Sequence, residues 1–190
     1  MKVEYIVNRV FTSRSYILSS EDGKSAWLVD IGDTGRIIES LSPETKIYGV
    51  LLTHVHYDHI YGLPSLLSMF PYCKIITNNA GVAYLDDTRK NMSRYHEDPI
   101  KYVGENVSVV KEGDHIGLFD DCTAIVYETP GHNPSCLCFS VGDYLFTGDA
   151  WIPGVKVVTT LPGGDKEAAK ESEERIKKLA FGHTVMPGHD

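Results

Sequence analysis

Four short motifs carry seven side chains of the kind that bind metal ions. His54, His56, Asp58 and His59 stand together in T-H-V-H-Y-D-H, His132 lies in T-P-G-H, Asp149 in F-T-G-D and His189 in M-P-G-H. Each isolated candidate follows an apolar run and a glycine, which suits a side chain presented from a tight turn at a strand's end. His54 and His56 are two apart just past such a run, so in extended geometry both rings project to one side and can share an ion. Asp58 and His59 follow where a helix would start and can aim at a second ion. Zinc accepts this mixture of imidazole and carboxylate, and one carboxylate can bridge two ions about 3.5–4 Å apart. The chemistry that such a pair supports is attack by water made nucleophilic near neutral pH.

Positioning seven side chains so far apart in sequence requires many strand ends. Val3–Val10, Ser15–Leu18 and Ala26–Val29 read as strands rich in β-branched and aromatic residues, with E-D-G-K at 21–24 as a hairpin turn. I-I-E-S-L at 37–41 fits a short helix, and Ile47–Leu52 is a continuous apolar run, the pattern of a strand buried on both faces. Helical periodicity covers Ile60–Phe70 and stops at Pro71. K-I-I-T at 74–77 is another buried strand, and Asn78 or Asn79 can cap a helix over Ala80–Asp86. Residues 87–106 are polar and without period, and are expected as a surface excursion. Strands follow at Val107–Val110, Cys122–Glu128, Leu137–Val141 and Tyr144–Phe146. A helix over Asp165–Leu179 turns Ile176 and Leu179 inward, and a short strand near Thr184–Met186 delivers His189. No linker, repeat or low-complexity tract interrupts 1–190, so one domain is expected, with two sheets packed together and helices outside.

Composition narrows the function classes. The chain has 190 residues, 42% hydrophobic and 23% charged, ordinary for a globular domain with a sizeable core. A formal charge of -8 argues against broad phosphate neutralisation, hence against nucleic acid as a partner. No stretch approaches the roughly 18 apolar residues of a membrane helix. Glu4 and Arg9 interrupt what would have to be a signal peptide's apolar region, so a cytoplasmic location is expected. Cys73, Cys122, Cys136 and Cys138 show no C-x2-C pairing and are read as small buried hydrophobes. His96, His115 and His183 lie outside the motifs and receive no role.

These motifs resemble those of the metallo-β-lactamase superfamily, and within it the glyoxalase-II-like hydrolases. The H-x-H-x-D-H signature stands as H-V-H-Y-D-H at 54–59, and T-P-G-H at 129–132, F-T-G-D at 146–149 and M-P-G-H at 186–189 match the later ligand turns. L-P-G-G-D at 161–165 is similar to the glyoxalase-II branch. The resemblance implies an α/β fold of four layers, an αββα sandwich, with two divalent metal ions at one edge, zinc first and iron or manganese as alternatives. It implies that His54, His56 and His132 hold one ion, that Asp58, His59 and His189 hold the other, and that Asp149 bridges them. Asp30 in L-V-D-I-G matches a position that supports the cluster from behind. The ion pair would leave the site net positive and suited to a small molecule with an anionic or polarised carbonyl.

The implied reaction is hydrolysis of a thioester, ester or lactone by metal-bound hydroxide, with Asp58 as the catalytic residue that orients the nucleophile. The alternatives are an iron-dependent sulfur dioxygenase on the same fold, using one metal, and a non-catalytic metal-binding scaffold. Glyoxalase-II enzymes carry a further C-terminal helical domain that helps to bind the glutathione thioester. Here the sequence stops one residue after His189, so that domain is expected to be missing and His189 to be prone to fraying. Selectivity is expected from Tyr57, Tyr61, the 87–106 excursion with Arg94, W-I-P-G at 151–154 and N-P-S at 133–135.

Overall fold

The computed structural model describes residues 1–189. Strands β1 (Lys2–Val7), β2 (Arg14–Ser19), β3 (Ser25–Val29), β4 (Lys46–Leu51), β5 (Lys74–Thr77) and β6 (Val107–Val109) form a six-stranded sheet in that order. β1 to β3 pair antiparallel and β3 to β6 parallel. The second sheet has five strands in the order β11–β10–β9–β8–β7: β7 (His115–Phe119), β8 (Cys122–Glu128), β9 (Leu137–Val141), β10 (Tyr144–Gly148) and β11 (Thr184–Pro187). Only β10 and β11 pair parallel within it.

The period-two pattern of the strands builds the layers. Tyr16, Leu18, Trp27 and Val29 face the second sheet and meet Val126, Leu137, Phe139 and Phe146 in a core between the sheets. Their neighbours Ile17, Ala26 and Leu28 point the other way. They pack under α1 (Thr34–Ser40), α2 (Tyr57–Ile60), α3 (Leu63–Met69) and α4 (Asn79–Leu85), against Ile37, Ile60, Leu63 and Leu85. On the outer face of the second sheet, Cys136, Cys138 and Leu145 receive Ile176 of α5 (Lys166–Leu179). The result is the four-layer αββα sandwich, and all four cysteines are free thiols. Among the described residues no helix is long and apolar enough to cross a membrane.

Two expectations need correction, and two features lie beyond what the pattern gave. The helix over Ile60–Phe70 is two helices, α2 and α3, broken at Tyr61–Gly62, where Thr34 Oγ1 donates to the Gly62 carbonyl. β1 ends at Val7 rather than Val10. Buried Asn8 turns the chain there, donating to the Ser13 and Ser15 hydroxyls. β7 is a further strand, whose alternation is blurred by the exposed His115 and Gly117. Residues 87–106 form the expected surface excursion, but it is pinned from within. Asn91 Nδ2 and Ser93 Oγ both donate to the Ile100 carbonyl, the Ile100 N–H returns to Ser93 Oγ, and both polar side chains are fully buried.

Candidate metal centre

The parallel strands β3, β4 and β5 all run toward one edge of the sandwich, and β8, β10 and β11 end at that same edge. Asp30 follows β3, His54 and His56 follow β4, His132 follows β8, Asp149 follows β10 and His189 follows β11. Asp58 and His59 sit on α2, the turn that leaves this edge. Crevices at the carboxyl ends of strands are where open α/β sheets place their sites. The Leu137 N–H donates to the Thr53 carbonyl at 2.7 Å and so ties the two sheets together beside His54.

All seven candidate side chains converge. Ligand atoms of His54, His56 and His132 lie within 4.8 Å of one another; so do those of His54, His59 and Asp149, and those of Asp58, His59 and His189. The two outer sets are those that the resemblance implied. Asp149 lies between them: its carboxylate is 3.4 Å from His59 Nε2, 3.4 Å from His189 Nε2 and 3.6 Å from His132 Nε2. Four histidines, His54, His56, His59 and His132, are buried, whereas Asp58, Asp149 and His189 keep 13%, 15% and 18% of their side chains exposed. Solvent and substrate therefore reach the site over the carboxylates and His189.

The outward ring nitrogens fix how the inward ones are used. His132 Nδ1 meets the Val158 carbonyl at 2.7 Å, and His189 Nδ1 meets the Phe11 carbonyl at 2.9 Å. A carbonyl only accepts, so each Nδ1 carries the proton and each Nε2 faces the site as a lone pair when the ring is neutral. His59 Nδ1 donates to Asp30 Oδ2 at 2.8 Å with the same effect. Thr53 Oγ1 donates to Asp30, so it accepts from His54 Nδ1 at 3.3 Å. His56 is turned the other way, its Nε2 against the Asn133 amide and its Nδ1 toward His132 Nε2, both at 2.9 Å.

Two buried atoms of the centre, His54 Nε2 and Asp149 Oδ1, have no hydrogen-bond partner. Buried polar atoms are normally satisfied, and these two belong to one set of converging donors. Imidazole nitrogen and carboxylate oxygen are the donor types that zinc, iron and manganese take. The residues fit a metal site.

Protonation tells the same story. Burial works against a charged His59, but Asp58, Asp149 and Asp30 outweigh it and hold the ring well above the ordinary histidine range. Burial likewise opposes a charged His189, yet hydrogen bonds to Asp149 and Asp58 lift it to about 9. Asp149 is held well below the usual carboxylate range, because His59 and His189 overcome the burial that would raise it. On the other side burial, reinforced by His132, drops His56 to about 3, and burial with His59 lowers His54. One half of the centre thus holds protons where cations belong, and the other half holds neutral rings.

Uptake of ions should differ accordingly. His189 is protonated at pH 7, so an ion entering with Asp58 and His59 must displace at least one proton. Its affinity should fall at least tenfold for each pH unit below 9, and more steeply where His59 also gives up its proton. His54 and His56 are already neutral there and give up none. Calorimetry in two buffers of different ionisation heat reads the protons released, and a second ion that releases none at pH 7 would contradict this.

Close approach explains the glycines before the ligands. Gly131 has φ +138, and a Cβ there would lie 2.3 Å from the Ala169 backbone, so the T-P-G-H turn presses directly on α5. A Cβ at Gly188 would lie 2.1 Å from Asp149 Oδ1. L-P-G-G-D serves the same docking: Asp165 caps α5 through the Glu167 and Ala168 N–H groups, while its own N–H donates to the Gly131 carbonyl.

The model of the metallo-β-lactamase superfamily matches residues 9–189. The chain belongs to that superfamily. A hydroxyacylglutathione hydrolase of Hydrogenovibrio crunogenus is 32% identical over 181 residues, which cover 93% of this chain and 58% of that protein. The chain therefore spans about three fifths of the length of that curated relative. A probable metallo-hydrolase of Streptococcus pyogenes is 27% identical over the whole chain and 84% of its own length. Among solved metallo-β-lactamase structures, the BLEG-1 B3 enzyme superposes with a TM-score of 0.86 at 25% identity, covering 100% of this chain and 92% of that one.

Within this metallo-β-lactamase frame several residues carry more than the motifs disclosed. Asn133 was read only as a selectivity turn, yet its amide holds His56 while its Oδ1 accepts from the Ser135 N–H and hydroxyl. Phe11, unread in the sequence, holds His189. The segment that carries His189 is tied to the first two strands' turn: the Arg14 N–H donates to the Gly188 carbonyl and Tyr16 Oη to the Pro187 carbonyl, beside the Phe11 contact. Trp151 packs against the core under α5 and is not among the residues that line the hollow beside His132 and Asp149. Ile152, Val155 and Lys156 line that hollow, of about 40 Å³.

Proposed function

We propose that the chain is a hydrolase that holds two divalent cations, zinc first, and cleaves a thioester, ester or lactone in a small molecule. The observation that carries this is the interlocking of the three donor sets, in which His54 and His59 each belong to two and Asp149 reaches both sides. A single ion would leave several of these donors idle. When bound, such ions supply Lewis acidity toward a carbonyl oxygen and a nucleophile near neutral pH. Thioesters come first because the Hydrogenovibrio crunogenus relative bears the name of a thioester hydrolase.

The side chains divide the work. His132, His189, His59 and His54 present Nε2 from fixed rings, which lowers the cost of assembling the site. Asp149 keeps its negative charge between the two sets. Asp58, on the first turn of α2 and partly open to solvent, is placed to accept a proton from an attacking water and to orient it. Before an ion enters, protonated His189 Nε2 lies 3.2 Å from Asp58 Oδ2 and holds that carboxylate in position.

Elemental analysis of purified protein, beside a panel of thioesters, esters and lactones, tests this reading. Two ions per chain with turnover of at least one panel member is the expected result. One iron per chain with oxygen uptake would replace it by a dioxygenase, and inertness of the loaded protein would leave a scaffold. His189→Ala should reduce two ions to one and lower turnover about 100-fold. Loss of the ion held by His54, His56 and His132 instead would contradict the allocation.

A further inference from the structure

Every imidazole of the candidate centre except one is backed by an acceptor. His54, His59, His132 and His189 set their outward nitrogens against Thr53 Oγ1, Asp30 Oδ2, the Val158 carbonyl and the Phe11 carbonyl. His56 differs. Its outward nitrogen, Nε2, meets the Asn133 side chain at 2.9 Å, and that amide presents its nitrogen, a donor. The amide's orientation is fixed by groups that can only donate to it. The Ser135 N–H donates to Asn133 Oδ1 at 2.8 Å, and the Ser135 hydroxyl donates to the same oxygen at 2.6 Å. That hydroxyl accepts in turn from the Val55 N–H at 3.2 Å. Turning the amide over would set its NH2 against the Ser135 N–H. Asn133 and Ser135 are fully buried, where a donor left without an acceptor is costly.

Two contacts then agree on where the neutral His56 ring keeps its proton. Nε2 accepts from Asn133, which leaves the proton on Nδ1. Nδ1 faces His132 Nε2 at 2.9 Å, and that atom is a lone pair because His132 Nδ1 donates to Val158. A proton on His56 Nε2 would instead set donor against donor at the amide, and lone pair against lone pair at His132. The donors all run one way, from the Val55 N–H through Ser135, Asn133, His56 and His132 to the Val158 carbonyl. Yet Nδ1 is the atom that His56 turns toward the other candidate ligands. A ligand nitrogen must offer a lone pair, and here it carries the proton.

We propose that Asn133 is a positioning residue that holds His56 in the tautomer unable to coordinate. His56 becomes a ligand only when its proton crosses from Nδ1 to Nε2 and the Asn133 amide turns over. This rests on the allocation of one ion to His54, His56 and His132, and not on hydrolysis. The crossing releases no proton, but it takes Oδ1 away from the two Ser135 donors. Outer partners of metal ligands change affinity about 10–100-fold, and this one acts toward weaker binding. Aspartate at 133 would remove the conflict. One of its oxygens can still accept from Ser135, while the other accepts from a proton on His56 Nε2.

Long-range proton–nitrogen NMR of the metal-free full chain reads the tautomer directly. At neutral pH the His56 proton should sit on Nδ1. A proton on Nε2 would overturn the proposal and leave the metal allocation standing. Added zinc should move the proton to Nε2 and shift the Ser135 N–H resonance as its acceptor turns away; a Ser135 N–H that stays in place would overturn the turnover of the amide. If zinc binds while the proton remains on Nδ1, His56 is no ligand, and the allocation falls together with the proposal. Asn133→Asp should carry the proton on Nε2 before any metal is added. Competition against a chelator should then show the ion at His54, His56 and His132 held about 10–100-fold more tightly than in the parent chain. Unchanged or weaker binding would sink the proposal. So would tighter binding with the proton still on Nδ1, because the added charge alone would then be acting. Should Asn133→Asp fail to fold, the parent-chain spectra still decide.

Discussion

Asp149→Asn should lower turnover by about 1000-fold and bring the metal content from two ions per chain to one or none. The side chain has no counterpart in the centre. Among the described residues it alone approaches His59, His132 and His189 together, at 3.4, 3.6 and 3.4 Å, and its Oδ1 is buried without a hydrogen-bond partner. Asparagine keeps the volume and one oxygen but removes the charge that balances those rings. It also puts an amide, a donor, where an electron pair is needed. Removing one electrostatic contact of this type commonly costs 100- to 1000-fold in turnover, and here the loss of an ion adds to it. The metal-free variant should also lose protons from His59 and His189, because Asp149 is among the groups that hold them charged. Elemental analysis, steady-state kinetics and NMR titration of the ring protons read the three effects. Two ions retained with turnover within tenfold of the parent chain would remove Asp149 from the bridge.

The candidate ligands were legible because metal chemistry restricts residue type and the strand-end turn restricts context. Histidine or aspartate directly after a glycine, at the end of an apolar run, is a local pattern. The sandwich was legible for a similar reason: Tyr16–Ile17–Leu18 and Trp27–Leu28–Val29 serve two cores by simple alternation. What escaped was long-range and aperiodic. Asn91 and Ser93 fold the 87–100 segment through side chain to backbone bonds, which leave no period. His96 therefore looked like a surface histidine, although it stacks on a residue inside the ligand cluster. The grip of Phe11 on His189 joins opposite ends of the chain through a backbone carbonyl, and any residue type can supply one. The break between α2 and α3 depends on Thr34, which lies well before either helix.

Asp30→Ala should destabilise the metal-free fold by about 3–5 kcal/mol and weaken metal binding by about 10- to 100-fold. Asp30 is 1% exposed and accepts three hydrogen bonds: from the Thr53 N–H and hydroxyl, each at 2.7 Å, and from His59 Nδ1 at 2.8 Å. Alanine strands all three donors in a buried site, at about 1–3 kcal/mol each before relaxation. It also occupies φ +57, which aspartate and asparagine tolerate better. Asp30→Asn divides the two roles. Its oxygen can still accept from Thr53, so chemical denaturation should show most of the stability restored. Its amide now donates toward His59 Nδ1, which must become the acceptor. The ring proton then moves to Nε2, pointing into the centre where an ion would bind. Competition against a chelator should therefore show metal affinity as poor in Asp30→Asn as in Asp30→Ala. If affinity instead recovers together with stability, Asp30 acts only by holding the β3–β4 edge together, and the choice of ring nitrogen on His59 has some other cause.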